Sequence, residues 1–156
     1  MVKINFDGAL FSKEQKLGIG AVIRDAQGAV LALLFRTFSH VYSPFEVEGM
    51  AAASALQLAS ELGFQEVILE GDCQVLMHAL KYDSPFLSTN GIILDAVRSK
   101  AKCFSKLHYS HVKREGNMFA YALACFALNV TDYRVWMEDV PPQIHSFVLA
   151  DFDGIH

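Results

Sequence analysis

Three acidic residues stand where the chain passes from one predicted element to the next. Asp7 follows a short alternating strand pattern and precedes Gly8, while Asp72 follows a buried strand pattern directly after Gly71. Glu48 falls in the first turn of a predicted long helix. If the two strands are parallel neighbours, their carboxyl ends share the sheet edge where open α/β sheets place their ligands. Three carboxylates at that edge suit a hard, hydrated cation such as magnesium.

Each of these acids also has an ordinary structural explanation. Asp-Gly is a common turn sequence, an Asp before a helix is a common N-cap, and a first-turn Glu complements the helix dipole. Both explanations stay open for each residue taken singly. The expected convergence of Asp7, Glu48 and Asp72 on one sheet edge favours the cation site.

The elements that would position these acids begin with three strands. Alternating or apolar runs predict the strands, and the turn-forming stretch Asp25-Ala26-Gln27-Gly28 joins the second to the third. They are expected at Val2–Phe6, Ile19–Arg24 and Ala29–Phe38. Together they predict an antiparallel meander.

The rest of the pattern alternates helices and strands. A segment rich in Ala, Leu, Gln and Glu predicts the long helix with Gly63 as its left-handed cap, and Asp72 is expected to be the next N-cap. The expected order is helix Glu46–Leu62, strand Glu66–Glu70, helix Cys73–Lys81, a helix that begins after Ser88 or Thr89 and runs to about Phe104, strand Leu107–Lys113 and helix Asn117–Val130. The pattern predicts an α/β fold with a five-stranded mixed sheet, three strands antiparallel and the others parallel, and helices on both faces.

Length and composition restrict the classes of function. The 156 residues, 53% of them hydrophobic, fit one domain, expected at residues 1–135, and a tail at 136–156 that packs on the domain or on a protein partner. Apolar runs stay below the roughly 18 residues of a membrane span, and signal-peptide character is lacking. With three widely spaced cysteines, we expect an intracellular protein, nuclear or cytoplasmic and not secreted. The net charge of -4 predicts that any nucleic-acid contact is local.

Four stretches of the sequence combine into a family pattern. They are Asn5-Phe6-Asp7-Gly8-Ala9, Gly18-Ile19-Gly20-Ala21-Val22-Ile23-Arg24-Asp25, Val67-Ile68-Leu69-Glu70-Gly71-Asp72 and His111-Val112-Lys113-Arg114-Glu115-Gly116-Asn117. With Glu48 in the long helix, they resemble type 1 members of the ribonuclease H-like family. Within that group they resemble the plant, retroelement-related domains, which are reverse-transcriptase-like. The resemblance implies hydrolysis of the RNA strand of RNA–DNA hybrids by two magnesium ions about 4 Å apart, with manganese as a substitute.

The resemblance also implies roles for particular residues. Asp7 is expected to bridge the two ions, and Glu48 and Asp72 complete the inner shell. The nucleic-acid backbone is expected to contact Lys113, Arg114 and Asn117. In this family the RNA strand is expected to be selected by its 2′-hydroxyl groups rather than by its sequence.

One position departs from the family pattern. The family has an Asp directly after the alanine that matches Ala120, and this sequence has Tyr121. A phenol is a poor magnesium ligand at neutral pH because its reference pKa is about 10. We therefore expect a weakened nuclease. The alternatives are an inactive nucleic-acid-binding or protein-interaction module, and a relative that trims single strands or transfers DNA ends on the same fold.

Overall fold

A six-stranded mixed sheet forms the centre of the computed structural model, which describes residues 1–39, 42–82, 90–127 and 134–137. The strands are β1 (Val2–Phe11), β2 (Lys16–Arg24), β3 (Val30–Phe38), β4 (Glu66–Gly71), β5 (Lys106–His111) and β6 (Arg134–Met137). Their order across the sheet is β5-β4-β1-β2-β3-β6. The strands β1, β2, β3 and β6 pair antiparallel, whereas β4 and β5 run parallel to β1. The five predicted strands are confirmed, and β6 is an addition.

Helices cover both faces of this sheet, as the sequence predicts. They are α1 (Pro44–Glu61), α2 (Gln74–Lys81), α3 (Asn90–Ala101) and α4 (Met118–Phe126), with 3₁₀ turns at Ser12–Glu14 and Arg114–Asn117. Buried residues of α1, α2 and α3 share one core with Ile4 and Ile19 of the sheet. Because strand side chains alternate, Val22 and Phe35 point the other way and pack with α4 on the second face.

Local signals fix both ends of α1. Ser43 and Glu46 form a capping box, in which the Ser43 hydroxyl accepts from the Glu46 N–H and the Glu46 carboxylate accepts from the Ser43 N–H, both at 3.2 Å. Gly63 follows the last turn with a φ of +85°, the left-handed conformation that glycine adopts without strain. Glu48 therefore has a defined place near the beginning of the helix.

The helix α4 lies against β2 with almost no space between the two backbones. A Cβ at Gly20 would lie 2.6 Å from the carbonyl oxygen of Ala120. The close approach thus requires glycine at this position. Since Gly20 pairs with Asp7 across the sheet, the approach also brings Tyr121 to the level of Asp7.

Two expectations about these elements are wrong. β1 does not end at Phe6, because its antiparallel pairing with β2 continues to Phe11 after its parallel pairing with β4 has stopped. Asp7 therefore lies within a strand rather than at its end. The N-cap of α2 is Cys73 and not Asp72, because the Asp72 carboxylate is directed to the other two acids.

The C-terminal part of the chain bears on the predicted domain boundary. β6 crosses the boundary expected between residues 135 and 136 and pairs with β3. The rest of the predicted tail, at 138–156, lies outside the described residues, as does the expected helix end at Val130. The helix expected after Ser88 or Thr89 is α3, which begins at Asn90. Of the helices in the described ranges, each is too short or too polar to cross a lipid bilayer.

Candidate functional site

The register between β1 and β4 places two of the three acids side by side. The last parallel pair joins Phe6 of β1 to Gly71 of β4. Asp7 and Asp72 are the residues that directly follow this pair in the sequence. A Cβ at Gly71 would lie 2.5 Å from the Phe6 ring, so the glycine lets the ring pack there. The predicted equivalence of the two aspartates is therefore confirmed, although β1 continues beyond Asp7.

Glu48 reaches the same place from α1 because helix and strand meet closely at Gly8. A Cβ at Gly8 would overlap Cγ1 of Val47, so a larger residue would push α1 away from β1. The Gly8 N–H donates to Oδ1 of Asp7 at 2.8 Å and to Oε1 of Glu48 at 3.0 Å. One backbone donor thus holds two carboxylates together.

The three carboxylates form a group that fits a metal ion. Ligand oxygens of Asp7, Glu48 and Asp72 lie within 4.8 Å of one another, and Asp7 and Glu48 are buried. Oδ2 of Asp7, Oδ2 of Asp72 and Oε2 of Glu48 are buried and have no hydrogen-bond partner among the described residues. Such oxygens are costly unless a proton or a cation satisfies them. Three oxygen ligands of this kind match a hard divalent cation.

Burial and mutual repulsion raise the proton affinity of Asp7 and Glu48. Burial is the largest cause that raises the pKa of Asp7 from 3.8 to about 6, and the nearby charge of Asp72 adds to it. Burial likewise raises the pKa of Glu48, and the charge of Asp7 raises it further. Without a cation, the pair therefore keeps a proton near neutral pH. A bound divalent cation would replace that proton.

Arg114 and Tyr121 form the side of the site where the family pattern has its fourth acid. Nε of Arg114 lies 3.5 Å from Oδ2 of Asp72, and the guanidinium carbon lies 4.7 Å from the centre of the Tyr121 ring. The pKa of Tyr121 is raised, chiefly by its hydrogen bond with the side chain of Cys125 one turn along α4. The phenol stays protonated at neutral pH, so this position contributes no negative charge.

A cavity of about 250 Å³ opens next to the carboxylates. Glu48, Arg114 and Tyr121 line it together with residues 8–11 of β1. The cavity is thus lined both by one acid of the trio, Glu48, and by the exposed guanidinium group of Arg114. This arrangement gives an anionic ligand access to the acids from the Arg114 side.

Asn117 supports the site from inside the protein. It is 1% exposed, its Nδ2 donates to the Phe6 carbonyl at 2.8 Å, and its Oδ1 accepts from Nδ2 of Asn5 at 3.1 Å. Both polar atoms of Asn117 are therefore used internally, and this geometry gives no support to the expected contact with a nucleic-acid backbone. The bonds fasten the start of α4 to β1 beside Asp7.

Sequence reasoning missed Asn5 as a member of this network. Its amide also donates to Oε2 of Glu70 at 2.9 Å, and Glu70 in turn accepts from the Ser110 hydroxyl at 3.1 Å. The signal that could have identified it is its position two residues before Asp7, on the same face of the strand. Asn5 thereby joins β1 to β4 and β5 below the acids.

Two of the predicted nucleic-acid contacts lie at the surface. Lys113 and Arg114 are exposed and follow the carboxyl end of β5, where His111 pairs with Gly71. They therefore stand at the same sheet edge as Asp72. Their charges are available to a phosphate group that approaches the acids.

The fold and this site define a ribonuclease H-like α/β domain with an acidic cluster. A family model described as reverse transcriptase-like matches residues 5–127. The chain therefore belongs to the reverse transcriptase-like family of ribonuclease H-like domains. A comparison with curated proteins gives no significant match.

Three solved structures that are similar to this chain are ribonucleases H. The RNase H1 of the halophilic archaeon Halobacterium salinarum is 26% identical, with a TM-score of 0.76 over 82% of this chain and 97% of that chain. The N-terminal RNase H domain of a Mycobacterium tuberculosis protein is 22% identical, with a TM-score of 0.75 over 82% and 93%. LC11-RNase H1, solved in complex with an RNA/DNA hybrid, is 20% identical, with a TM-score of 0.72 over 83% and 97%. The last two, at their lower identity, show the fold alone.

Proposed function

We propose that this protein is a magnesium-dependent nuclease that hydrolyses the RNA strand of RNA–DNA hybrids. The observation that carries the proposal is the convergence of three carboxylates on a ribonuclease H-like fold, with one buried oxygen of Asp7 and one of Glu48 that have no hydrogen-bond partner among the described residues. Such a site is complete only with a cation bound. The resemblance to plant, retroelement-related domains of type 1 is part of the proposal.

Asp7, Glu48 and Asp72 would hold the cation in this proposal. Bound there, Mg²⁺ would supply Lewis-acid chemistry to a phosphodiester and lower the pKa of bound water. The chain's own residues fix the place of the reaction: Gly8 aligns Asp7 and Glu48, and Arg114 orients Asp72. Mn²⁺, which also takes oxygen ligands, is expected to substitute.

The hybrid is the proposed substrate because the relative LC11-RNase H1 was solved with one. Lys113 and Arg114 would contact backbone phosphates at the edge that also carries Asp72. The 2′-hydroxyls of the RNA strand, in a wide and shallow minor groove, would distinguish it from DNA. With a net charge of -4, the protein has to gain this binding from local contacts.

Cleavage of a labelled hybrid tests the proposal. We expect Mg²⁺-dependent cuts in the RNA strand, little cleavage of duplex DNA, and a loss of rate of roughly a hundredfold or more in Asp7→Asn. Lys106→Ala, which changes an exposed residue at the opposite end of β5, serves as the matched control and keeps its rate. Equal cleavage by the parent protein and Asp7→Asn would contradict the proposal.

Tyr121 favours a second candidate function, a nucleic-acid-binding or protein-interaction module without activity. In this alternative the acids remain but the missing charge at position 121 has ended catalysis. Absence of cleavage at large enzyme excess, with cleavage restored in Tyr121→Asp, would support it. Unchanged biological activity of Asp7→Asn would support it as well, because a module without catalysis does not use the cation site.

A further inference from the structure

A guanidinium group stands beside the carboxylates, near the position where the family pattern has an acid. Nε of Arg114 is 3.5 Å from Oδ2 of Asp72, and the guanidinium lies over the ring of Tyr121. Its charge also acts on Asp7 and Glu48. Because a carboxylate and an aromatic ring hold it from two sides, Arg114 presents a positioned positive charge at the edge of the trio.

The charges around the site balance with one divalent cation. Three ionised carboxylates and one guanidinium leave a net double negative charge, which a single Mg²⁺ or Mn²⁺ neutralises. A second divalent ion would be repelled by Arg114 and would find a neutral phenol at position 121. Tyr121 and Arg114 line the same cavity beside Glu48, so both act on the space next to the trio.

We infer that the site takes one divalent cation. Arg114, held over the Tyr121 ring, supplies the positive charge that a second cation would otherwise provide. The inference rests on the proposed cation site formed by Asp7, Glu48 and Asp72. The Arg114 side chain is 59% exposed, so that N–H groups not directed to Asp72 are open to a phosphate oxygen. Arg114 is then the residue that positions the phosphate against the cation.

The number of bound ions tests the inference without any measurement of activity. Titration with Mn²⁺, followed by the EPR signal of the free ion, is expected to give one site in the parent protein and none of comparable affinity in Asp7→Asn. Tyr121→Asp is expected to give two sites, because it adds a carboxylate to the cavity wall. Tyr121→Asn removes the ring without adding charge, and it is expected to stay at one site.

The charge of Arg114 gives a second readout. Since a guanidinium repels a divalent cation, Arg114→Gln is expected to bind the single Mn²⁺ roughly tenfold more tightly at low salt, whereas Arg114→Lys, which keeps the charge, stays close to the parent. Unchanged or weaker binding in Arg114→Gln overturns the assigned role of Arg114. Far-ultraviolet circular dichroism of each variant checks that the fold is kept.

The outcomes separate this inference from the proposed function. Two ions in the parent protein overturn the inference and leave the proposed nuclease intact. No ion in the parent overturns both, because the carboxylates then form no cation site. If both the parent and Tyr121→Asp bind one ion, the missing carboxylate at position 121 does not explain the single site. That part of the inference is then overturned.

Discussion

Asp7, Glu48 and Asp72 meet at a cost in electrostatic free energy, because their charges repel one another in a largely buried place. The Gly8 N–H satisfies one oxygen of Asp7 and one of Glu48. Their other oxygens lack a donor in the part of the chain that the structure describes. Such a group is more favourable with a proton or a cation bound. We therefore expect the stability of the protein to depend on pH and on divalent cations.

We predict that Asp7 makes the metal-free protein less stable as the pH rises from about 4 to about 6. The pKa of Asp7 is about 6 in the folded protein against an ordinary 3.8, so in this interval the unfolded chain loses a proton that the folded chain keeps. The contribution is fully present below the unfolded pKa and is lost as the pH rises through the folded pKa, a change of about 2–3 kcal/mol. Urea unfolding in EDTA at a series of pH values measures it.

Asp7→Asn removes this contribution together with the part of the raised Glu48 pKa that Asp7 causes, while every other carboxyl is common to the two proteins. The variant is expected to lose less stability over the same pH interval and, at pH 7 without metal, to be more stable than the parent. Millimolar Mg²⁺ is expected to raise the stability of the parent at pH 7 and to have little effect on the variant. Parallel pH curves for the two proteins would refute the prediction.

The meeting of the three acids could be predicted from the sequence, but their surroundings could not. Asp7 and Asp72 each follow a strand segment, and parallel neighbours bring such positions to one level. The contacts of Arg114 and Asn117 depend on the 3₁₀ turn between β5 and α4. The Asn5–Asn117 hydrogen bond joins residues 112 positions apart. No local pattern encodes a side-chain contact over that separation.

At the scale of elements, glycines set the distances that the site requires. Gly8 lets α1 approach β1, and Gly20 lets α4 approach β2. These two contacts bring Glu48 and Tyr121 to the level of Asp7 from opposite faces of the sheet. A change at either glycine is therefore expected to act on the site as well as on stability.

Gly20→Ala is predicted to lower both stability and cation binding. The added Cβ would lie 2.6 Å from the Ala120 carbonyl oxygen and from the Ala124 nitrogen, and backbone atoms cannot rotate away. We expect a loss of about 1–3 kcal/mol, together with a shift of α4 that disturbs the hydrogen bond from Asn117 to the Phe6 carbonyl beside Asp7 and thereby weakens Mn²⁺ binding. Urea unfolding and Mn²⁺ titration measure the two effects.

Gly63→Ala provides the control for this prediction. A Cβ there would meet no atom within 4 Å, but the φ of +85° is unfavourable for alanine. We expect a loss of about 1 kcal/mol with Mn²⁺ binding unchanged, because Gly63 lies at the far end of α1. If Gly20→Ala bound Mn²⁺ as the parent does, the close approach of α4 would not matter to the site.

Most of the elements could be predicted, because their periodicity and caps are local signals. The end of β1 could not, since Phe11 belongs to the strand through its pairing with Lys16 rather than through any pattern of its own. β6 adds only four residues, Arg134–Met137, to the edge at β3. So short a strand depends on its partner, and its sequence gives too little alternation to distinguish it from a tail.

At the scale of the whole molecule, an acidic protein is proposed to bind a polyanion. The net charge of -4 and the carboxylate trio both repel phosphate groups. Binding therefore depends on a bound cation and on the few basic side chains at the carboxyl ends of the parallel strands. Lys113 and Arg114 stand at that end, whereas Lys106 stands at the opposite end of β5.

This distribution predicts a shallow dependence of hybrid binding on salt. If Lys113 and Arg114 make the main phosphate contacts, the slope of log K against log salt is about −2, and Lys113→Ala reduces its magnitude by about 1. Fluorescence anisotropy in the Asp7→Asn background, in which the cation site is lost, measures without cleavage of the hybrid the part of the slope that the basic side chains contribute. Lys106→Ala, which removes another exposed charge from the other end of the strand, is expected to leave the slope unchanged. An equal effect of both lysine substitutions would mean that the overall charge, and not the sheet edge beside Asp72, determines binding.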